Sequence, residues 1–316
     1  MAANYYTGSV SSFAGLLTAM TTGCAAHGWS WDGTILSKSG LFIRPYVSTA
    51  EASSEGAGLL AELGTGRSGS AITGGSGCIP RLGRPGGGLE AVVWPATYHL
   101  FVFDDPSEVF LVLQFNVNRH YWMAFGASAI NGGPWISATA GKGYTASTAS
   151  SLSIAANSGG SSSSANRSGL PFWKSTAGPN TAPVSFSETV RSQVDAEWGG
   201  FASGNGVGFL NGVLSTIPMN QRLPSNWNQA AVLLPINVYQ RRASDFWSMV
   251  LSVRNARYVR VDYYEPGQII TLGHEQWMIF PGYRKDLANR DGPSTSGDHT
   301  GTMGWAIRYQ PDDVGG

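Results

Sequence analysis

The C-terminal block from Tyr258 to Gln310 constrains the fold more than any other stretch of the chain. It contains short runs dense in Val, Ile, Tyr, Trp and Phe: Tyr258 to Tyr264, Gln268 to Leu272, Glu275 to Phe280 and Met303 to Tyr309. Branched and aromatic residues bounded by Gly and Pro read as β-strands, because such side chains fill a pleated, half-buried surface. A strand this close to the C-terminus must pair with earlier ones, so the block is expected to close a sheet. Arg284 to Thr302, polar and glycine-rich, is expected to be the exposed loop of this unit.

The rest of the chain supports the same class. Tyr98 to Phe103, Val109 to Val117 and His120 to Phe125 form an expected three-stranded antiparallel meander. Asp104-Asp105-Pro106-Ser107 and Asn118-Arg119 supply the turn chemistry between them. Leu41 to Val47 reads as a strand that Pro45 restricts to an edge or an end. Ala230 to Tyr239 reads as a strand broken or bulged at Pro235, and Phe246 to Val253 as another. Helical spacing of Phe13, Leu16, Leu17 and Met20 predicts one amphipathic helix over Ser11 to Ala26, with Ser11 or Ser12 as N-cap and Gly28 as its stop. A short helical turn over Ala57 to Leu63 is expected within the Gly/Ser/Ala-dominated stretch Glu51 to Gly88, and the rest, Gly64 to Gly88, reads as an irregular covering loop with one strand. The spacing of Val190, Val194 and Trp198 allows a further helix. The expected architecture is mainly β: antiparallel sheets in sandwich or barrel-like units, with few short helices and long Gly/Ser-rich loops. Two β-rich units are expected, 1–136 and 170–316, joined by a flexible Ser/Gly-rich loop at 137–169. Such a loop cannot bury enough apolar surface to offset the ordering of its backbone.

Charge narrows the function. Twenty Lys and Arg balance twenty Asp and Glu, and charged residues make up 13% of the 316. That is about half the usual share for a soluble domain. Neutrality argues against a nucleic-acid partner, which needs an excess of cations on its binding face; Arg254, Arg257 and Arg260 are the nearest approach to one. Few charges, 11 tryptophans and 42 glycines suit a protein whose surface is partly covered by neighbours. Cys24 and Cys78 make no disulfide framework. The N-terminus lacks the pattern of a signal peptide, and no apolar run is long enough to span a bilayer.

No reactive constellation emerges. Gly64-Thr65-Gly66-Arg67-Ser68-Gly69 has dinucleotide-loop spacing but lacks the flanking strand and helix that such a site requires. Cys24 and His27 are too few ligands for zinc. His99 and His120 read as satisfied packing residues in strands, and His274-Glu275 and Asp298-His299 as loop hydrogen-bonding pairs. A glycan-cleaving enzyme needs paired carboxylates in a cleft, and within the regions expected to be ordered only Asp104/Asp105 and Asp195/Glu197 are close in sequence.

Five stretches resemble a known family: Trp29–Phe42 (WSWDGTILSKSGLF), Leu233–Tyr239 (LLPINVY), Asn255–Asp262 (NARYVRVD), Gln276–Asp286 (QWMIFPGYRKD) and His299–Tyr309 (HTGTMGWAIRY). They resemble structural proteins of tailed bacteriophages and prophages, encoded among tail and baseplate genes. The resemblance covers most of the chain outside Ser137–Asn166 and carries no catalytic residues. It implies a non-enzymatic virion protein, assembled in the bacterial cytoplasm, without cofactor or metal. Its expected partners are other tail or baseplate proteins and copies of itself. Tyr283, Arg284, Lys285, Arg290 and His299, in or beside the polar loop, are the expected partner contacts. A receptor-binding module or a glycan depolymerase of the tail is the alternative expectation.

Overall fold

The computed structural model describes residues 4–49, 57–84, 90–142, 170–172, 187–193, 196–200, 210–211, 230, 232–242, 246–285 and 303–309. In chain order the elements are β1 (Asn4–Val10), α1 (Phe13–Ala25), β2 (Ser30–Trp31), β3 (Leu36–Lys38), β4 (Leu41–Ser48), β5 (Gly58–Gly64), β6 (Gly66–Ser68), β7 (Ala71–Thr73), β8 (Pro80–Gly83), β9 (Ala96–Asp104) and β10 (Ser107–Asn116). Then come β11 (Arg119–Ala127), β12 (Pro134–Ala138), β13 (Ala140–Gly141), β14 (Glu188–Arg191), β15 (Trp198–Gly200), β16 (Leu210–Asn211), β17 (Leu234–Arg241), β18 (Trp247–Arg260), β19 (Ile269–Leu272), β20 (Glu275–Pro281) and β21 (Met303–Tyr309). The protein is mainly β, and its sheets are antiparallel.

The meander read from the sequence, β9–β10–β11, is the centre of a 7-stranded sheet of order β1-β9-β10-β11-β12-β14-β15. Both of its faces are buried. Leu100, Val102, Val109, Leu111, Leu113, Tyr121, Met123, Phe125 and Ile136 point into one core. Their sequence neighbours Phe101, Phe103, Phe110, Val112, Trp122, Ala124 and Trp135 point into another. Strands covered on both sides carry near-continuous apolar runs instead of alternation, as FLVL and YWMAF do here.

The first core is closed by α1 and by a 6-stranded sheet of order β13-β8-β5-β4-β3-β2. Ser12 caps α1, its Oγ accepting the Gly15 N–H at 3.1 Å, and Phe13, Leu16, Met20 and Cys24 face inward. The chain leaves the helix through Gly28 at φ 74, a conformation glycine adopts without steric cost. Pro45 lies beyond Ile43, the last β4 residue paired with β3. On that side the strand is therefore locally an edge, although it is interior to its sheet.

The second core is closed by a 6-stranded sheet of order β16-β17-β18-β21-β20-β19. It contains the C-terminal block, with β21 seated between β18 and β20. Leu170, Phe172 and Val190 enter the same core. β14 and β15, beyond residue 170, extend the sheet begun in residues 4–138.

Several expectations are corrected. The segment read as a helical turn at Ala57–Leu63 is strand β5, nearly all buried between β4 and β8. Its Leu, Ala and Glu favour helix locally, but pairing on both edges overrides that weak preference. The loop after it, expected to hold one strand, holds three among the described residues, the hairpin β6–β7 and strand β8. Val190 and Trp198 lie on the antiparallel strands β14 and β15, not on one helix; Val194 lies outside the described residues. Ser137 and Ala138 belong to β12, and Ala140 and Gly141 to β13, so the first residues of the expected flexible loop are paired strand. Residues 143–169 lie outside the described residues.

Gly126 of β11 sets how closely β10 can approach. A Cβ there would fall far inside contact distance of the Ser107 carbonyl oxygen and of Glu108 Cα. Gly126→Ala is expected to lower stability by about 1–3 kcal/mol, the usual cost of overpacking. Urea unfolding would show this as a lower midpoint, and an unchanged midpoint would mean that the β10–β11 spacing relaxes freely.

Candidate interaction surface

The hairpin of β17 and β18 places large apolar side chains in solvent. Arg242 N–H donates to the Phe246 carbonyl at 2.7 Å and closes its turn. Phe246 is 71% exposed, and Trp247 and Met249 are also exposed. The cause is a bulge. Val238 pairs with Leu251 but Tyr239 with Met249, so Val250 is an extra residue in β18. One extra residue exchanges the two faces of everything beyond it. Leu251 and Val253 therefore face the core with Val238, while Met249 and Trp247 turn to the opposite side. At the other side of the same sheet, β19 pairs only with β20 among the described residues, and its Ile269 and Leu272 are exposed.

A second bulge, foreseen at Pro235, holds the sheet in place. Ile236 pairs with Val253 and Pro235 with Arg257, which leaves Arg254, Asn255 and Ala256 without β17 partners. The freed N–H groups of Arg254 and Asn255 donate to Glu108 Oε1 and Oε2, each at 2.9 Å, and Asn255 Nδ2 adds a third bond at 2.9 Å. Glu108 projects from β10 and is fully buried, so its carboxylate pins the outer sheet to the central one. Burial pushes its pKa up to about 7, against the opposing pull of those three donors and of Arg257. Two further buried carboxylates are also bound. Glu188 Oε2 accepts from Ser137 Oγ and Phe172 N–H, each at 2.8 Å, and Asp262 takes a two-pronged bond from Arg260 at 2.7 and 2.8 Å.

The expected partner-contact residues divide. Tyr283 is buried, its ring stacked on Tyr121 at 5.5 Å. Lys285 is 5% exposed, with Nζ 2.5 Å from the Tyr264 carbonyl. Arg284 is half-buried in an isolated bridge with Arg119. These three residues strap the outer sheet across the end of β11. Arg290 and His299 lie outside the described residues, as do Asp195 and Asp298.

The remaining sequence candidates separate further. Asp104 and Asp105 are exposed, Asp104 bound to Lys38 Nζ at 2.5 Å and Asp105 3.7 Å from Arg254. Glu197 and His274 are exposed. Gly64, Gly66 and Gly69 belong to β5, β6 and the β6–β7 turn, with no helix following. Cys24 is buried, its thiol pKa raised by desolvation, and His27 Nε2 meets the Tyr6 hydroxyl at 2.6 Å. His99 is satisfied by Tyr5, as expected, with Nδ1 2.8 Å from its hydroxyl. His120 departs from expectation: it is fully buried and neither ring nitrogen has a hydrogen-bond partner. Among the described residues no helix is long and apolar enough to cross a membrane, and no group of three or more His, Cys, Asp or Glu is placed to hold a metal ion.

Glu108 gives the seam a pH dependence. A carboxyl whose folded pKa is raised contributes stability that is complete below its unfolded value, 4.5, and lost as pH rises through about 7. The loss amounts to about 3 kcal/mol for a shift of this size. Glu108→Gln is expected to remove that slope between pH 4.5 and 7, read by urea unfolding at several pH values. A variant retaining the full slope would assign it to another group.

No protein-family model matches the chain, and no curated protein matches it.

Proposed function

We propose that this protein is a structural component of a tailed-phage virion, in the tail or baseplate region. It holds neighbouring tail proteins or fibres, and copies of itself, by protein–protein contact and without a reaction of its own. The observation that carries this reading is the β17–β18 hairpin. Its bulge turns Trp247 and Met249 outward next to the exposed Phe246, in a chain where charge is scarce. Exposed rings and methionine on a rigid sheet are the composition of an interface centre, where few residues carry most of the binding energy. The sequence resemblance to phage tail and baseplate proteins supplies the setting.

The test is a reconstruction of particles carrying the chain, together with light scattering of the purified protein. The chain is expected in the tail, with the hairpin seated on a neighbour. Phe246→Ser with Trp247→Ser is expected to weaken association at least tenfold, the loss of one strong contact residue, and to leave the far-ultraviolet circular dichroism unchanged. A chain that stays monomeric in particle and solution overturns the reading. So does one that cleaves host glycan with loss of activity in Glu197→Gln.

A further inference from the structure

The strap that follows β20 crosses the central sheet at its only described pair of inward histidines. His99 on β9 and His120 on β11 flank β10, opposite Val112 and Gln114 respectively. Both rings lie against Phe280 of β20, with centroids at 5.0 and 6.2 Å. Beyond Phe280 the chain turns around the edge of the seam. The Tyr283 carbonyl accepts the His120 amide hydrogen at 2.8 Å, and the Tyr283 ring stacks on Tyr121. The strap thus packs Phe280 into one core and Tyr283, a short step later, into the other.

The groups around the rings offer little to a positive charge. From β1, the Tyr5 hydroxyl meets His99 Nδ1, and Tyr309 of β21 lies edge-on to the Tyr5 ring. From β10 comes the neutral Gln114, and from β20 the Phe280 ring. Arg119 adjoins His120 in sequence, its charge offset by Glu90 Oε1 at 2.9 Å, and the strap brings Arg284 into the bridge with Arg119. Lys285 lies farther along, at the Tyr264 carbonyl. Apart from the Tyr283 carbonyl, which favours a cation, the surroundings oppose protonation: burial first, then His99 and Arg119.

We propose that His99 and His120 form an acid-sensitive latch, whose protonation lifts the strap Phe280–Lys285 from the end of β11 while the central sheet stays folded. A buried imidazolium with so few acceptors must be hydrated, and the strap lies directly on His120, its Phe280 ring against the imidazole and its Tyr283 carbonyl on the His120 amide. The direction follows from linkage. Burial lowers the pKa of His99 to about 4 and of His120 to about 3, so the neutral rings stabilise the closed strap above the ordinary 6.5. That stability is lost as pH falls towards those values. Opening would uncover Tyr121 and Tyr283 and free the chain leading into 286–302. The inference does not depend on the tail assignment, because it concerns only contacts within the chain.

Amide hydrogen exchange on the full chain between pH 7 and pH 4 tests the latch, with rates corrected for intrinsic pH dependence. Protection of the His120 amide, which is bonded to the Tyr283 carbonyl, is expected to fall at least tenfold across that window, with Leu111 and Met123 still protected. His120→Phe is expected to keep protection of the amide at position 120 throughout. Protection at His120 and Leu111 that collapses together overturns the proposal, as does a strap in His120→Phe that opens at the wild-type pH. The imidazole carbon signals of the unaltered protein give a second measurement, needed if the variant does not fold. Rings that titrate with the loss of strap protection support the latch, and rings that stay neutral until global unfolding refute it.

Discussion

Covering both faces of one antiparallel sheet is the constraint on which the rest of this structure depends. β9, β10 and β11 have no solvent face, so two further sheets and a helix must be recruited to close them. That requirement explains much of the unusual composition. Trp122 and Trp135 of the central sheet and Trp305 of β21 lie in a single core, together with Phe101, Phe110 and Phe280. Rings that would suggest a surface rich in partners are in large part consumed inside the chain. Of the apolar groups left outside, Val93, Val117, Ile130 and Tyr263 are scattered, whereas Phe246, Trp247 and Met249 are gathered at one end of the β17–β18 hairpin.

Polar groups at the seam between the central and C-terminal sheets serve the same closure. At one end, Glu108 fills the donors released by a bulge in β18; at the other, His120 sits under the strap with nothing to bond. Burial disfavours the charged form of each, but the consequences differ in sign. A buried carboxyl holds its proton more firmly than in the unfolded chain, whereas a buried imidazole gives its proton up more readily. Acid therefore relieves one end of the seam and stresses the other. The seam is anchored at Glu108 by three directional bonds and at His120 by packing and one backbone bond, which makes the strap its weaker end.

Most of the strands could be read from the chain because their signals are local. The meander, the last three strands of the closing block, an α1 cap at Ser11 or Ser12 and a break or bulge at Pro235 each depend on residues within a few positions of one another. The runs read as two strands at Phe246–Val253 and Tyr258–Tyr264, by contrast, are the single strand β18 up to Arg260. Failures occurred where local preference met long-range pairing. Leu59 to Leu63 favour helix, yet they lie between β4 and β8, and the spacing of Val190 and Trp198 fitted a helix as well as a hairpin. Tyr283 and Lys285 looked like surface residues because their neighbours are polar, but the strap turns them inward.

The sequence by itself determined the class of the protein: strand-forming runs, turn residues and scarce charge permit a mainly β, antiparallel fold and little else. The tertiary structure alone decided which side chains face water. Parity along β18 depends on one extra residue whose presence shows only against β17. The burial of Glu108 and His120 depends on a sheet contributed by residues more than a hundred positions away. Pattern within a strand fixes alternation, whereas the choice of covered face belongs to the partners that strand meets.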